Sequence, residues 1–320
     1  MAQVNVYRWD DEGAPQIVEG RPSELINVLK KCLVDGYGTK SAAGWSVAHE
    51  SSPEETPYIV FQNSDVDGSG GILTIQQGND NTRNTVRIHG ALDFISPLEQ
   101  GRAGGYFYCT SGGNSSSYAN NWVVIATSTA FYIFMFPESR LGYNYMGANA
   151  HSLFFAGDIH SFYPNDPASF VTLSGRVNSS QTGWTSQLNY VLGDNPAQEL
   201  GYVYALDGSE SRDNCYFTSG LGLANLSNSS IQDSAPSIRL LSQLILVTGS
   251  YQLSSAGSRG NSEILPFARG RIPGLYTSQE NGFRSQSMPF FNEIDGVSYL
   301  SIPKPNNGGT NYWINTEEWS

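Results

Sequence analysis

Apolar positions along this 320-residue chain fall into short blocks, and one of these blocks has helical spacing. Leu25, Val28, Leu29, Cys32 and Leu33 recur three and four residues apart, which lays one apolar stripe along a helix. Ser23 is the expected N-cap, with Arg21 or Pro22 as alternative starts. Glu24 suits the positive end of the helix dipole, Lys30 and Lys31 the negative end, and Gly36 the stop.

The remaining blocks have the lengths and turn punctuation of strands. Expected strands cover residues 4–9, 58–62, 71–77, 85–92, 106–110, 122–126, 130–136, 153–155, 168–173, 188–191, 202–206, 215–217 and 240–247. Residues 122–126 and 130–136 are separated by Thr127, Ser128 and Thr129, which predicts a hairpin. Both runs are apolar at successive positions, so both faces of this hairpin are expected to be covered, in the middle of the core. Stretches rich in Ser, Asn and Gly read as loops: 111–121, 137–151, 254–263 and a long polar insertion over about 176–234. The predicted class is mainly β, a β-sandwich or barrel-like core with one N-terminal amphipathic helix. The expected organisation is a helix-loop docking segment over 1–50, a β-rich core over 51–276 and an extended C-terminal segment over 277–320.

Composition narrows the function classes. Charged residues make up 14% of the chain against roughly 25% in ordinary domains, and the net charge is −12. No basic face is visible, so no nucleic-acid partner is expected. No run of about 18 apolar residues exists, so no membrane span is expected. MAQVNVYRWDDEG lacks the basic and apolar regions of a signal peptide, so the expectation is synthesis in a cytoplasm. Cys32, Cys109 and Cys215 are too few and too scattered for a disulfide framework and read as buried free thiols.

Candidate chemistry is sparse. Asp65, Asp67, Ser69 and Gly70 match the first half of a calcium loop, but Gln76 stands where a bidentate Glu is required, so a hairpin turn is expected. Asp158, His160 and Asp166 could share a proton or a metal, yet Gly157-Asp158 and Pro164-Asn165-Asp166-Pro167 are also ordinary turn chemistry, which is the favoured reading. The histidines His49, His89, His151 and His160 share no metal-ligand spacing. With no nucleophile elbow or nucleotide loop, the expectation is a non-enzyme without cofactor, metal or catalytic residues. Aromatic residues set among Asn, Gly and Ser remain, including Tyr118, Tyr143, Tyr145, Phe162, Tyr163 and Trp184. Tyr163 and Trp184 are the sugar-binding candidates.

Residues 22–45, PSELINVLKKCLVDGYGTKSAAGW, resemble the opening of a family of virion structural proteins of tailed bacteriophages, where such a helix runs into GYG-x-K-x-AAGW. NNWVVIATSTAFYIFM (120–135), LFFAGDIHSFYPNDP (153–167, with an extra Ala156) and RGRIPGLY (269–276) are similar to later segments of that family, in the same order. The resemblance implies a virion component, in the tail or baseplate, that assembles with copies of itself and other virion proteins. Threefold or sixfold symmetry is expected for a tail part. A head or neck decoration protein, or a receptor module for a host glycan at the tail tip, are the alternatives, and a polysaccharide-cleaving enzyme is the third. The expected contact residues are Leu25, Leu29, Tyr37, Lys40 and Trp45 in the helix-loop, and Tyr312, Trp313 and Trp319 near the C-terminus. From the residues alone, though, the loop reads first as a local packing of Trp45 on the helix.

Overall fold

A computed structural model describes residues 2–52, 56–78, 85–96, 99–110, 112, 119–137, 152–174, 188, 201–219, 241–248, 268–278, 287–302 and 312–319. Two antiparallel sheets stack on the two faces of a shared antiparallel middle sheet. That sheet runs β12 (Phe170–Leu173), β10 (Ser152–Asp158), β9 (Ala130–Phe136), β8 (Asn121–Ala126), β2 (Asn5–Arg8). One outer sheet is β3 (Ser46–Glu50), β4 (Tyr58–Gln62), β5 (Ile72–Gln77), β6 (Thr85–Ser96), β7 (Glu99–Thr110). The other runs β13 (Gly201–Tyr204), β14 (Arg212–Ser219), β15 (Leu241–Thr248), β16 (Ala268–Ser278), β19 (Tyr312–Asn315), β18 (Val297–Ile302), β17 (Phe290–Ile294), with the short β11 (His160–Ser161) also on β16. β1 (Ala2–Gln3) pairs with β20 (Glu318–Trp319), which brings the two ends of the chain together.

The β8–β9 hairpin is the centre of the molecule. Successive side chains of a strand point to opposite faces. Accordingly Val124, Ala126, Phe131, Ile133 and Met135 join one core with Ile59, Phe61, Leu73, Ile88 and Phe107 of the first outer sheet. Val123, Ile125, Tyr132, Phe134 and Phe136 join a second core with Leu246, Ile272, Leu275, Leu300 and Ile314 of the other. This is why both runs are apolar throughout, and the expectation of a mainly β sandwich with one N-terminal helix holds.

The helix α1 spans Pro22–Lys30, and a wider π-helical turn continues it over Lys31–Asp35, closed by Gly36 N–H donating to the Lys31 carbonyl at 2.8 Å. Its cap is Arg21, not Ser23. Pro22 takes the first helical position, and the Glu24 carboxylate folds back to accept from the Arg21 N–H at 3.0 Å. The apolar stripe is buried as predicted, with Leu25, Val28, Leu29, Cys32 and Leu33 in the first core.

The helix-loop is a clamp for the chain itself. Tyr37 donates its hydroxyl proton to Asp11 (2.8 Å), Lys40 donates to the Val6 carbonyl (3.0 Å), and Tyr7 donates to the Ser41 carbonyl (2.7 Å). Trp45 donates its ring N–H to the Thr127 carbonyl at 3.0 Å and meets Phe131 edge-on at 5.3 Å. Gly38 has φ +52°, and a Cβ there would collide with the Glu12 carbonyl, so the loop admits no side chain at that point.

These contacts correct the expected contact residues. Leu25, Leu29, Tyr37, Trp45, Tyr312, Trp313 and Trp319 are all buried within the chain's own cores, and Lys40 is committed to Val6 and Asp11. Segments 1–50 and 277–320 are likewise not appendages to a 51–276 core. β2 is an edge strand of the middle sheet, and β19 lies between β16 and β18.

Candidate functional site

One end of the stack gathers loops from all three layers around a polar cleft of roughly 890 Å³. The 66–69 turn, the β8–β9 turn at Ser128 and Thr129, the β10–β11 link at Asp158 and His160, and the paired terminal strands at Gln3 and Trp319 form its walls.

The calcium-like segment is the turn joining β4 to β5, as its missing ligand suggested. Asp67 accepts from the hydroxyls of Ser64 (3.4 Å) and Ser128 (3.2 Å), so it ties the turn to the central hairpin. Ser69 turns inward to Asp158, its N–H donating to one carboxylate oxygen (2.8 Å) and its hydroxyl to the other (2.5 Å). Asn63 adds a donor at 2.9 Å and Ser169 one at 3.1 Å. Burial pushes the Asp158 carboxyl above the usual carboxylate range, and the bonds from Ser69, Ser169 and Asn63 pull it back. A carboxylate with these donors joins the turn to both β10 and the approach to β12. It is an organising group, as the turn-chemistry reading anticipated.

Asp166 is spent differently. Its two oxygens take a bidentate pair from Arg269, whose side chain is fully buried, and also accept from Ser161 Oγ (2.7 Å) and the Ala168 N–H (2.9 Å). This pair fastens the loop after β11 to the start of β16. Asp158 and Asp166 therefore each serve a separate network, and among the described residues no three His, Cys, Asp or Glu side chains come together in a way that could hold a metal ion.

Among the histidines, His160 lines the cleft, and His49 stacks on Tyr58 at 5.7 Å between ring centres. His151 lies outside the described residues. His89 is largely buried on β6 beside Arg87, and burial followed by the Arg87 charge lowers its pKa from 6.5 to about 4. A depressed histidine binds its proton less well in the folded than in the unfolded chain. Its contribution to stability is therefore full above pH 6.5 and is lost as pH falls toward about 4. Urea unfolding of His89→Gln at pH 7 and pH 4.5 is expected to show a smaller acid-side loss than the unaltered chain. Equal losses would mean that His89 titrates normally.

Of the sugar candidates, Tyr163 is partly exposed and its N–H donates to Ser161 Oγ at 3.2 Å, outside the cleft wall. Trp184, Tyr118, Tyr143 and Tyr145 lie outside the described residues, as do most of 111–121, 137–151 and 176–234 and all of 254–263. Cys32, Cys109 and Cys215 are buried and free, as expected. Sequence reasoning did not find Asn63, Ser169, Gln3 or Asn5 as site residues. Ser69 and Asp158 are 89 positions apart, and no local pattern marks partners at such separations.

Among the described residues no helix is long and apolar enough to cross a membrane. Scanned against protein-family models, the chain matches none, and no curated protein matches it.

Proposed function

We propose that this chain is a structural subunit of a tailed-phage virion, in the tail or baseplate, working by docking to copies of itself and to other virion proteins. The observation that carries this reading is that the four segments resembling that family, spread over residues 22–276, form one connected block. Trp45 of the first bonds to Thr127 of the second (3.0 Å). The third pairs with the second along β9–β10. The fourth pairs with the third at β11–β16 and accepts, at the Pro273 carbonyl, the Tyr132 hydroxyl of the second (2.6 Å). All four segments thus lie around the central hairpin, as segments that jointly specify one core would.

With the helix-loop and the C-terminal strip buried, the apolar surface left for docking a neighbouring subunit lies elsewhere. β5 pairs with β6 only as far as Ala91, so residues 92–96 of β6 and 99–102 of β7 form a two-stranded ribbon beyond it. Phe94 and Ile95 stand 42% and 59% exposed on that ribbon, braced by the bidentate Asp93–Arg102 pair. A low content of charged residues, 14% of the chain, favours such packing, since few ions are desolvated.

Mass spectrometry of density-purified phage particles whose genome encodes this chain tests the reading. Peptides of this chain are expected in the particles at a fixed ratio to the other virion proteins. Recovery only from the particle-free lysate overturns it.

A further inference from the structure

We infer that the polar cleft is a binding site for a neutral, polyhydroxylated ligand of the carbohydrate class, whether or not the chain is a virion subunit. The volume, roughly 890 Å³, lies inside the range of about 300–1,000 Å³ typical of small-molecule sites and has room for more than one sugar ring.

The walls decide the ligand class by their chemistry. Asp67 and Asp158 set a negative field, and no Lys or Arg is among the described residues of the lining, which disfavours an anion. A metal ion needs several carboxylates converging with free lone pairs. Here Asp158 is filled by Asn63, Ser69 and Ser169 and Asp166 by Arg269, which leaves Asp67. A purely apolar ligand would strip water from the Asn5 and Gln3 carboxamides without replacing it. Hydroxyl groups satisfy what is left: they donate to Asp67 and to the amide oxygens, and accept from the amide nitrogens. Asp67 already holds the hydroxyls of Ser64 and Ser128, and a carboxylate has about four acceptor positions, so lone pairs remain.

Apolar surface for the C–H faces of a sugar ring is also present. Val66 stands at the rim 88% exposed and Ala42 is half-buried beside it, while Ala43 and Trp319, buried in the cores, present only an edge to the cleft. The terminal strands supply Gln3 and Trp319 through the β1–β20 pairing, so the cleft is complete only when the two ends of the chain have met.

The test uses the full chain on a printed array of bacterial and mammalian glycans, with inorganic phosphate and calcium chloride as competitors. Retention on at least one neutral glycan is expected, without displacement by phosphate or by calcium. Asn5→Ala and Asp67→Asn are each expected to weaken it about tenfold, the loss of one or two hydrogen bonds. Asp67→Asn keeps an oxygen for the Ser64 and Ser128 hydroxyls, so its melting temperature should match that of the unaltered chain and separate lost binding from lost folding. Val18→Ser, at an exposed residue outside the lining, should bind normally. Failure to retain any glycan, or retention undiminished in both cleft variants, overturns the assignment. So does displacement by calcium or phosphate, which would give the cleft to an ion.

Discussion

Removing residues 312–319 is expected to leave no folded monomer. The strip is aromatic and terminal, the profile of a docking tail, yet β19 is an interior strand paired to β16 on one side and β18 on the other. Trp313 and Ile314 have no exposed surface, and the Trp313 ring N–H donates to Ser278 Oγ at 3.0 Å. Trp319 packs edge-on to Tyr132 of the central hairpin at 5.5 Å, donates to the Asn315 carbonyl at 2.8 Å, and fills space kept open by Gly274. Truncating one buried tryptophan to alanine costs about 3–5 kcal/mol. Whole domains are stable by only about 5–15 kcal/mol, so losing both tryptophans together with an interior strand exceeds the margin. The shortened chain should be insoluble or should lack a cooperative thermal transition, and Trp319→Ala alone should lower the melting temperature by several degrees. A soluble, cooperatively melting deletion would place the strip outside the core.

The second large effect is expected at the buried ion pair. Asp166→Ala leaves the Arg269 guanidinium fully buried without a counter-charge. Breaking such a pair by removing one partner costs about 3–5 kcal/mol, most of it the penalty of the stranded charge. Replacing both groups, Asp166→Ala with Arg269→Met, removes that charge and should recover most of the loss. The unrecovered part is the bonds Asp166 accepts from Ser161 and Ala168. Urea unfolding midpoints at constant slope measure all three variants. A single variant within about 1 kcal/mol of the unaltered chain would mean that water reaches Arg269.

Local pattern was enough for the elements whose surroundings are uniform. The α1 stripe, β4 at residues 58–62 and β9 at residues 130–136 were legible because each is apolar on the face, or faces, it buries. β16, interrupted by Gly270, Pro273 and Gly274, was not among the expected strands, and neither was β3, with exposed and half-buried positions alternating over five residues. The outer ends of β6 and β7 were missed because Gly101, Gly104 and Gly105 look like a loop, while Gly101 pairs across with Asp93 and Ala103 with Ala91.

The site was less legible than the fold. Asp158 and Asp166 stood out by their neighbours in the chain, but what each does depends on groups far away. Asn63 is 95 positions from Asp158, and Arg269 is 103 from Asp166. Composition and period therefore told that this chain is mainly β, a sandwich or a barrel, with one helix, and which hairpin lies in the middle of the core, because burial leaves its mark on every successive side chain. Whether the helix-loop and the aromatic C-terminal strip face a partner or the chain's own interior was a matter for tertiary structure alone. An aromatic side chain gains the same burial against either surface, and only the packing of the folded chain shows which one is there.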